Sequence, residues 1–268
     1  MMRLLKTFIA TTIARSAHGR RFLYQRLPRE TAARKHPFDE MFNTETSGFV
    51  PSYLLSLGYS ARSLINNSVY PYFGCQPNCI RAALRRIESP SDFIFYDIGC
   101  GMGRATMIAS EFPFERVVGV EISTDLYEIA NRNASTIAKC FPDRPPITIF
   151  ACDATKFTIS SQNAVVFLYN PFGSEILKGL IAQLENLVQK GFNVIIIYEN
   201  PVLFPLIDSS EFFKRRFGAQ VACNPEERDY QLDDDEAIAI WASEKVYFSD
   251  VEEFDIKIVK PEWRVEIV

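Results

Sequence analysis

Five short apolar runs recur along the middle of the chain: FIFYDIG (93–99), RVVGVEI (116–122), ITIFACD (147–153), AVVFLYN (164–170) and FNVIIIYEN (192–200). Continuous runs of this length suit strands covered on both faces, as in a parallel sheet. Helix patterns fall between them at 104–111, 124–138 and 173–190. In the last of these, Leu177, Leu180, Ile181, Leu184 and Leu187 share one face. Strand and helix alternating in this way predict an α/β fold with a doubly wound, mostly parallel sheet and right-handed crossovers.

The rhythm changes at both ends. FGAQVAC and AIAIWASE are strand candidates with no helix between them, which predicts an antiparallel pair closing the sheet. The connection NPEERDYQLDDDE carries seven acids and reads as a solvated loop, with a site for a basic partner as the alternative. EFDIKIV and EWRVEIV alternate at period two and predict a final hairpin. Toward the N-terminus, NCIRAALRRI predicts a helix with Ile80, Ala83, Leu84 and Ile87 on one face, and HPFDEMFNTETSGFVPSYLL reads as an ordered loop. These features divide the chain into an extension over 1–90, comprising a basic segment, a loop and a helix, and a sheet domain over 91–268.

Composition narrows the classes. At 268 residues and 47% hydrophobic, the chain can bury a full core. The formal net charge of −4 gives no overall footprint for nucleic acid. Charge is uneven, however: residues 1–36 hold nine bases (Arg3, Lys6, Arg15, Arg20, Arg21, Arg26, Arg29, Arg34 and Lys35) against the single acid Glu30. Packing on the domain or disorder, weak contact with a membrane surface, and an organelle-targeting segment are the readings open to it. Its apolar run, broken by Lys6, is too short to span a bilayer. Two histidines and six cysteines form no metal pattern, and scattered thiols fit a reducing compartment, so a cytoplasmic location is expected.

The densest chemistry lies in FYDIGCGMGRATMIAS, 95–110. A strand ends in Asp97, Gly99, Gly101 and Gly103 follow at every second position, and a helix begins at once. Glycines belong where the backbone turns sharply and approaches a ligand. A dinucleotide fingerprint would place its third glycine where this chain has Arg104. Asp97 would also repel a pyrophosphate, whereas a cationic sulfonium ligand with a free amino group would suit it. The next two strands also end in acids, Glu121 and Asp153. Each residue alone has a plainer reading, as a turn, a solvated strand end or a cap, but ligands in open α/β sheets sit at the carboxyl ends of strands.

DIGCGMG, GVEIS and CDA resemble the cofactor motifs of class I S-adenosylmethionine-dependent methyltransferases over about residues 93–245. That resemblance implies Asp97 and the glycines around the methionine part of S-adenosyl-L-methionine, Glu121 on the ribose and Asp153 near the adenine. FDEMFNTETSG, YPYFGCQP and the glycine loop are similar to small bacterial methyltransferases of unassigned acceptor. GVEIS with YNPFG is similar to non-SET lysine methyltransferases, in which a related Asn-containing turn lines the lysine channel. DNA adenine methyltransferases carry a comparable turn with an acid in place of Asn170 and a second proline in place of Phe172. The chain departs from that pattern and lacks an obvious target-recognition domain.

YNPFG, 169–173, follows the fourth strand, where a methyl acceptor would meet the cofactor. Either the Asn170 side-chain oxygen or a backbone carbonyl held by Pro171 could accept from an amine and aim its lone pair for in-line displacement. Tyr169 and Phe172, with Tyr70 and Tyr72, are candidates to line the acceptor channel. The competing reading is a strand-to-helix turn in which Asn170 caps, Pro171 enters the first turn and Phe172 packs. TETSG is read either as a loop closing on the cofactor carboxylate through Thr44, Thr46 and Ser47, or as a plain turn. The expected function is N-methylation of a protein side chain such as lysine. The alternatives are a small-molecule N- or O-methyltransferase and a non-catalytic cofactor-binding module. The partner expected is a protein or small-molecule amine, not a specific nucleic acid.

Overall fold

The computed structural model describes residues 35–52, 55, 70–230, 235–248, 253–259 and 264–268. The basic start up to Arg34, and with it the targeting and membrane-contact readings, lies outside them.

Seven strands form the main sheet in the order β5-β4-β3-β6-β7-β9-β8. The parallel part runs through β3 (Ile94–Ile98), β4 (Arg116–Glu121), β5 (Ile147–Ala151), β6 (Ala164–Tyr169) and β7 (Val194–Glu199). β8 (Lys214–Ala222) and β9 (Asp235–Ala242) close the sheet, with β9 antiparallel to both β7 and β8. The order reverses between β3 and β6, and ligands of open α/β sheets bind at such a switch point. All five apolar runs became the five parallel strands, and the antiparallel end lies where the missing helix predicted it.

Both faces are covered. On one face, α2 (Pro77–Leu84) and α3 (Arg104–Ala109) bury Ile80, Leu84, Met107 and Ile108 against Phe95, Phe167, Ile195 and Ile238, and Ile137 of α4 (Thr124–Cys140) joins the same core. On the other, α5 (Ser174–Gln189) lays its predicted stripe of five Leu and Ile side chains against Tyr96, Val166, Leu168 and Ile196. The short α6 (Phe204–Asp208) adds Ile207 and fixes Trp241, whose Nε1 donates to Asp208 at 2.8 Å. A C-terminal hairpin of β10 (Ile256–Val259) and β11 (Arg264–Ile267) adds Ile256 and Val265 to that core.

The stretch expected to be a loop begins with a helix instead, α1 (Pro37–Phe42). His36 caps it, its Nδ1 accepting from the Phe38 N–H at 3.1 Å, Pro37 occupies a first-turn position, and Asn43 ends it in the left-handed region. Surrounding Thr and Ser obscure these signals in the sequence. Two two-residue strands, β1 (Phe49–Val50) and β2 (Tyr72–Phe73), then pair antiparallel beside the glycine loop.

Candidate active site

A cleft at the carboxyl end of the sheet is lined by Asp97, Gly99, Gly101, Glu121 and Asp153 on one side and by Tyr169, Asn170, Pro171 and Phe172 on the other. Tyr70, Tyr72, Gly74 and Cys75 contribute residues from the preceding segment. Gly103 does not line the cleft but takes the cap position of α3, with φ of 85°.

The glycine loop is rigid for identifiable reasons. Gly99 and Cys100 both donate to the Val120 carbonyl, at 2.8 and 3.0 Å, Gly101 donates to Glu121 Oε2 at 2.8 Å, and Gly103 donates to the Cys100 carbonyl at 2.8 Å. With those N–H groups occupied, the loop is a poor cradle for a phosphate, which would need them free. Gly99 (φ 87°) and Gly101 (φ 55°) are required on two counts: backbone sign and space. A Cβ at Gly99 would lie 2.4 Å from the Pro171 Cβ, and one at Gly101 would lie 2.3 Å from the Tyr72 ring.

What the loop leaves open is a carboxyl group. Asp97 is 3% exposed, and its Oδ2 has no hydrogen-bond partner among the described residues. Burial, and then the nearby Glu121, push the Asp97 carboxyl well above the usual carboxylate range. A cationic amino or sulfonium group would relieve both effects, whereas an anionic ligand would add to them. Glu121 is buried as well, with its pKa raised by burial although the Ser123 and Gly101 N–H groups donate to it at 2.8 Å each. The Ile122 N–H also acts on it, and the acceptor capacity left on its oxygens suits a ligand hydroxyl. Asp153 turns the chain after β5: its Oδ1 accepts from the Thr155 N–H and hydroxyl, at 2.9 and 2.8 Å. The set fits the parts of S-adenosyl-L-methionine, with a cation beside Asp97, ribose hydroxyls at Glu121 and adenine by Asp153. Among the described residues no cluster suits a metal ion.

The opposite wall is built differently. Asn170 has φ of 42°, and its side chain points back into the protein. Its Nδ2 donates to the Asn200 carbonyl at 2.8 Å, which fixes the amide orientation because a carbonyl only accepts. The Tyr198 hydroxyl donates to Asn170 Oδ1 at 2.7 Å. Asn200 repeats the device at the end of β7: it precedes Pro201, has φ of 48°, and its Oδ1 accepts from the Val265 N–H at 3.1 Å. Phe172 is 6% exposed and packs in the α5 core as well as lining the cleft.

The residues missed by sequence reading are those that hold the roof. Arg104 is 4% exposed; its Nε donates to Thr46 Oγ1 at 2.8 Å, Nη2 to the Thr46 carbonyl at 3.0 Å and Nη1 to the Cys75 carbonyl at 3.1 Å. The Tyr72 hydroxyl donates to the Thr46 carbonyl at 2.7 Å while its ring covers Gly101. The hydroxyls of Thr44, Thr46 and Ser47 all donate to the buried Asp39 carboxylate, which lowers its pKa against the opposing effect of burial. TETSG is therefore a loop folded around its own acid, and its hydroxyls are directed at Asp39. The one sequence signal for the roof was Arg104 standing where a third glycine might have been. The signal for Asn200 was the recurrence of Asn-Pro at the ends of two adjacent strands.

No protein-family model matches the chain. A 116-residue stretch is 32% identical to the H3 lysine-79 specific histone-lysine N-methyltransferase of Dictyostelium discoideum, spanning 40% of this chain and 6% of that protein's length. Among solved structures, the 23S rRNA methyltransferase ErmE aligns over 65% of this chain and 70% of its own, with 13% identity and a TM-score of 0.44. The glycopeptide N-methyltransferase MtfA aligns over 63% and 86%, with 13% identity and a TM-score of 0.44. Precorrin-6y C5,15-methyltransferase from Geobacter metallireducens aligns over 61% and 85%, with 14% identity and a TM-score of 0.44. The chain is similar to class I S-adenosylmethionine-dependent methyltransferases.

Proposed function

We propose that the protein is an S-adenosylmethionine-dependent methyltransferase that methylates a nitrogen of a protein side chain, lysine foremost. The observation carrying this reading is the unpartnered, buried Asp97 Oδ2 beside a glycine loop whose N–H groups are occupied, a pairing that favours a cationic cofactor over a phosphate-bearing one. Bound S-adenosyl-L-methionine supplies a methyl group on a positively charged sulfur. Asp97 holds the positive amino end, Glu121 accepts from the ribose hydroxyls, and Asp153 lies toward the adenine.

On the other wall, the Asn170 amide is engaged with Asn200 and Tyr198, so the main-chain carbonyl before Pro171 is the group that accepts from an amine N–H. Tyr169 and Phe172 give that position apolar, aromatic walls. Such walls help a lysine acceptor, whose ammonium must lose a proton at a cost of about 4 kcal/mol at neutral pH before it attacks. Burial lowers that cost. The curated relative is by its name a histone-lysine N-methyltransferase, which supports lysine as the first acceptor to test.

Calorimetry with S-adenosyl-L-homocysteine tests the cofactor site. Asp97→Asn is expected to weaken binding by about 10-fold or more, the value of a hydrogen bond to a charged group; unchanged affinity would sink the assignment. For the acceptor, purified protein is incubated with methyl-labelled cofactor and cell extract, and labelled material is hydrolysed to amino acids. Label in methyl-lysine is the expected result, whereas label in RNA or in small molecules overturns the acceptor reading.

A further inference from the structure

A further carboxyl group is buried near the cleft, and among the described residues no basic side chain hydrogen-bonds to it. Glu199, the last residue of β7, is fully buried. Its Oε1 accepts from the Gln76 main-chain N–H at 2.8 Å, while among the described residues neither its Oε2 nor the Gln76 side-chain Nε2 has a hydrogen-bond partner.

The strand register places it. Asp97 pairs with Phe167 across β3 and β6, and Tyr169, two residues on and on the same face, pairs with Glu199 across β6 and β7. Strands lie about 4.8 Å apart, so Glu199 occupies the next lateral position behind the cleft wall formed by Phe167, Tyr169 and Cys75. The titratable groups facing it are Glu236 of β9, Tyr169 of β6, Cys75 before α2, Cys79 of α2, Asp97 of β3 and Arg104 of α3. Of these only Arg104 is cationic, and its donors are engaged by Thr46 and Cys75. Burial, and then Glu236, raise the Glu199 carboxyl well above the usual range. A buried acid in this state is stabilised when a cation comes within several ångströms, because charges interact strongly where water is excluded.

We propose that Glu199 is a specificity-determining residue whose carboxylate makes the acceptor end of the cleft favour a cationic amine over a neutral group of the same shape. The proposal rests on the reading of this cleft as a methyl-transfer site, and it deepens that reading by assigning the acceptor's charge to a residue outside the cleft lining.

The test compares n-butylammonium with 1-butanol as probes, by NMR titration of protein saturated with S-adenosyl-L-homocysteine so that Asp97 is already engaged. The wild-type protein is expected to prefer butylammonium, and Glu199→Gln, which keeps the contact to the Gln76 N–H, is expected to lower that preference by about 10-fold. A wild-type protein without preference, or a variant that keeps it, overturns the proposal. A second measurement needs no variant. The wild-type preference is expected to grow as pH rises, because the raised Glu199 carboxyl ionises only with rising pH while the amine stays charged; a flat profile overturns the proposal. Neither readout involves turnover, so failure here is separate from label appearing in RNA or small molecules, which would defeat the acceptor reading itself.

Discussion

The two walls of the cleft use main chain and side chain in opposite ways. Along the glycine loop, main-chain N–H groups are occupied by Val120, Cys100 and Glu121, and a carboxylate, Asp97, is left open. At the Asn-Pro turn the side-chain amide of Asn170 is occupied, and the main-chain carbonyl is the group that the proposed function assigns to the acceptor. The first wall is thereby suited to a fixed cationic ligand, and the second to a hydrogen-bond acceptor held at a set position.

The walls touch at Gly99 and Pro171, and that contact gives the largest expected effect. Gly99→Ala forces an L side chain into positive φ and drives a Cβ onto the Pro171 ring, which together cost about 2–5 kcal/mol. Cofactor affinity and turnover are both expected to fall by more than about 100-fold, the kinetic equivalent of about 3 kcal/mol. If calorimetry shows lost binding while turnover at saturating cofactor is normal, the walls are independent.

Arg104→Ala comes next. It removes three hydrogen bonds from a buried guanidinium and takes the Arg104 donors from Thr46 Oγ1 and the Cys75 carbonyl, while the Thr46 carbonyl keeps the Tyr72 hydroxyl, so a stability loss of about 3 kcal/mol is expected in urea unfolding. Arg104→Lys should recover little of it, since an ammonium does not reproduce the planar fork. Full recovery would reduce the role of Arg104 to charge alone.

Tyr198→Phe isolates the acceptor wall, because it deletes one hydroxyl from Asn170 Oδ1 and touches nothing on the cofactor side. Turnover is expected to drop about 5- to 10-fold, in line with one buried hydrogen bond, with cofactor affinity unchanged. An equal drop in affinity would show that the walls are not separable in this direction.

The smallest effect concerns pH. Burial raises the carboxyl pKa of Asp97, so the folded state keeps a proton that the unfolded chain releases above about pH 4, and stability falls as pH rises through the raised value. His36 acts oppositely: burial, and then Arg104, lower its pKa to about 3, and its contribution is complete once pH exceeds the unfolded value of about 6.5. Asp97→Asn is therefore expected to raise the melting temperature of the ligand-free protein by about 3 °C at pH 8 and by less at pH 5. An equal gain at both values would remove ionisation from the account.

Much of this site was legible in the sequence because its signals are local. The glycines sit at every second position after Asp97, and the acids end successive apolar runs. The α5 stripe could be read directly from its spacing. The orientation of Asn170 was not legible, since its amide is fixed by a carbonyl 30 residues away and a hydroxyl 28 residues away. Arg104 escaped for the same reason: its partners lie 58 and 29 residues earlier, in a stretch that reads as loop. Glu199 closes an apolar run much as Glu121 does, but nothing in the sequence distinguishes a carboxylate with an unpartnered oxygen from one held by backbone donors at each.

The clasp made by Arg104 also bears on modularity. The segments that carry Thr46, Tyr72 and Cys75 precede the first strand of the sheet, and α2 seals the sheet's flank with Ile80 and Leu84, both fully buried. The stretch ahead of the sheet is thus part of the roof of the cleft and of the core at once. Any exchange of this sheet with that of a relative would have to carry 35–50 and 70–84 with it, or transplant an open floor with no ceiling.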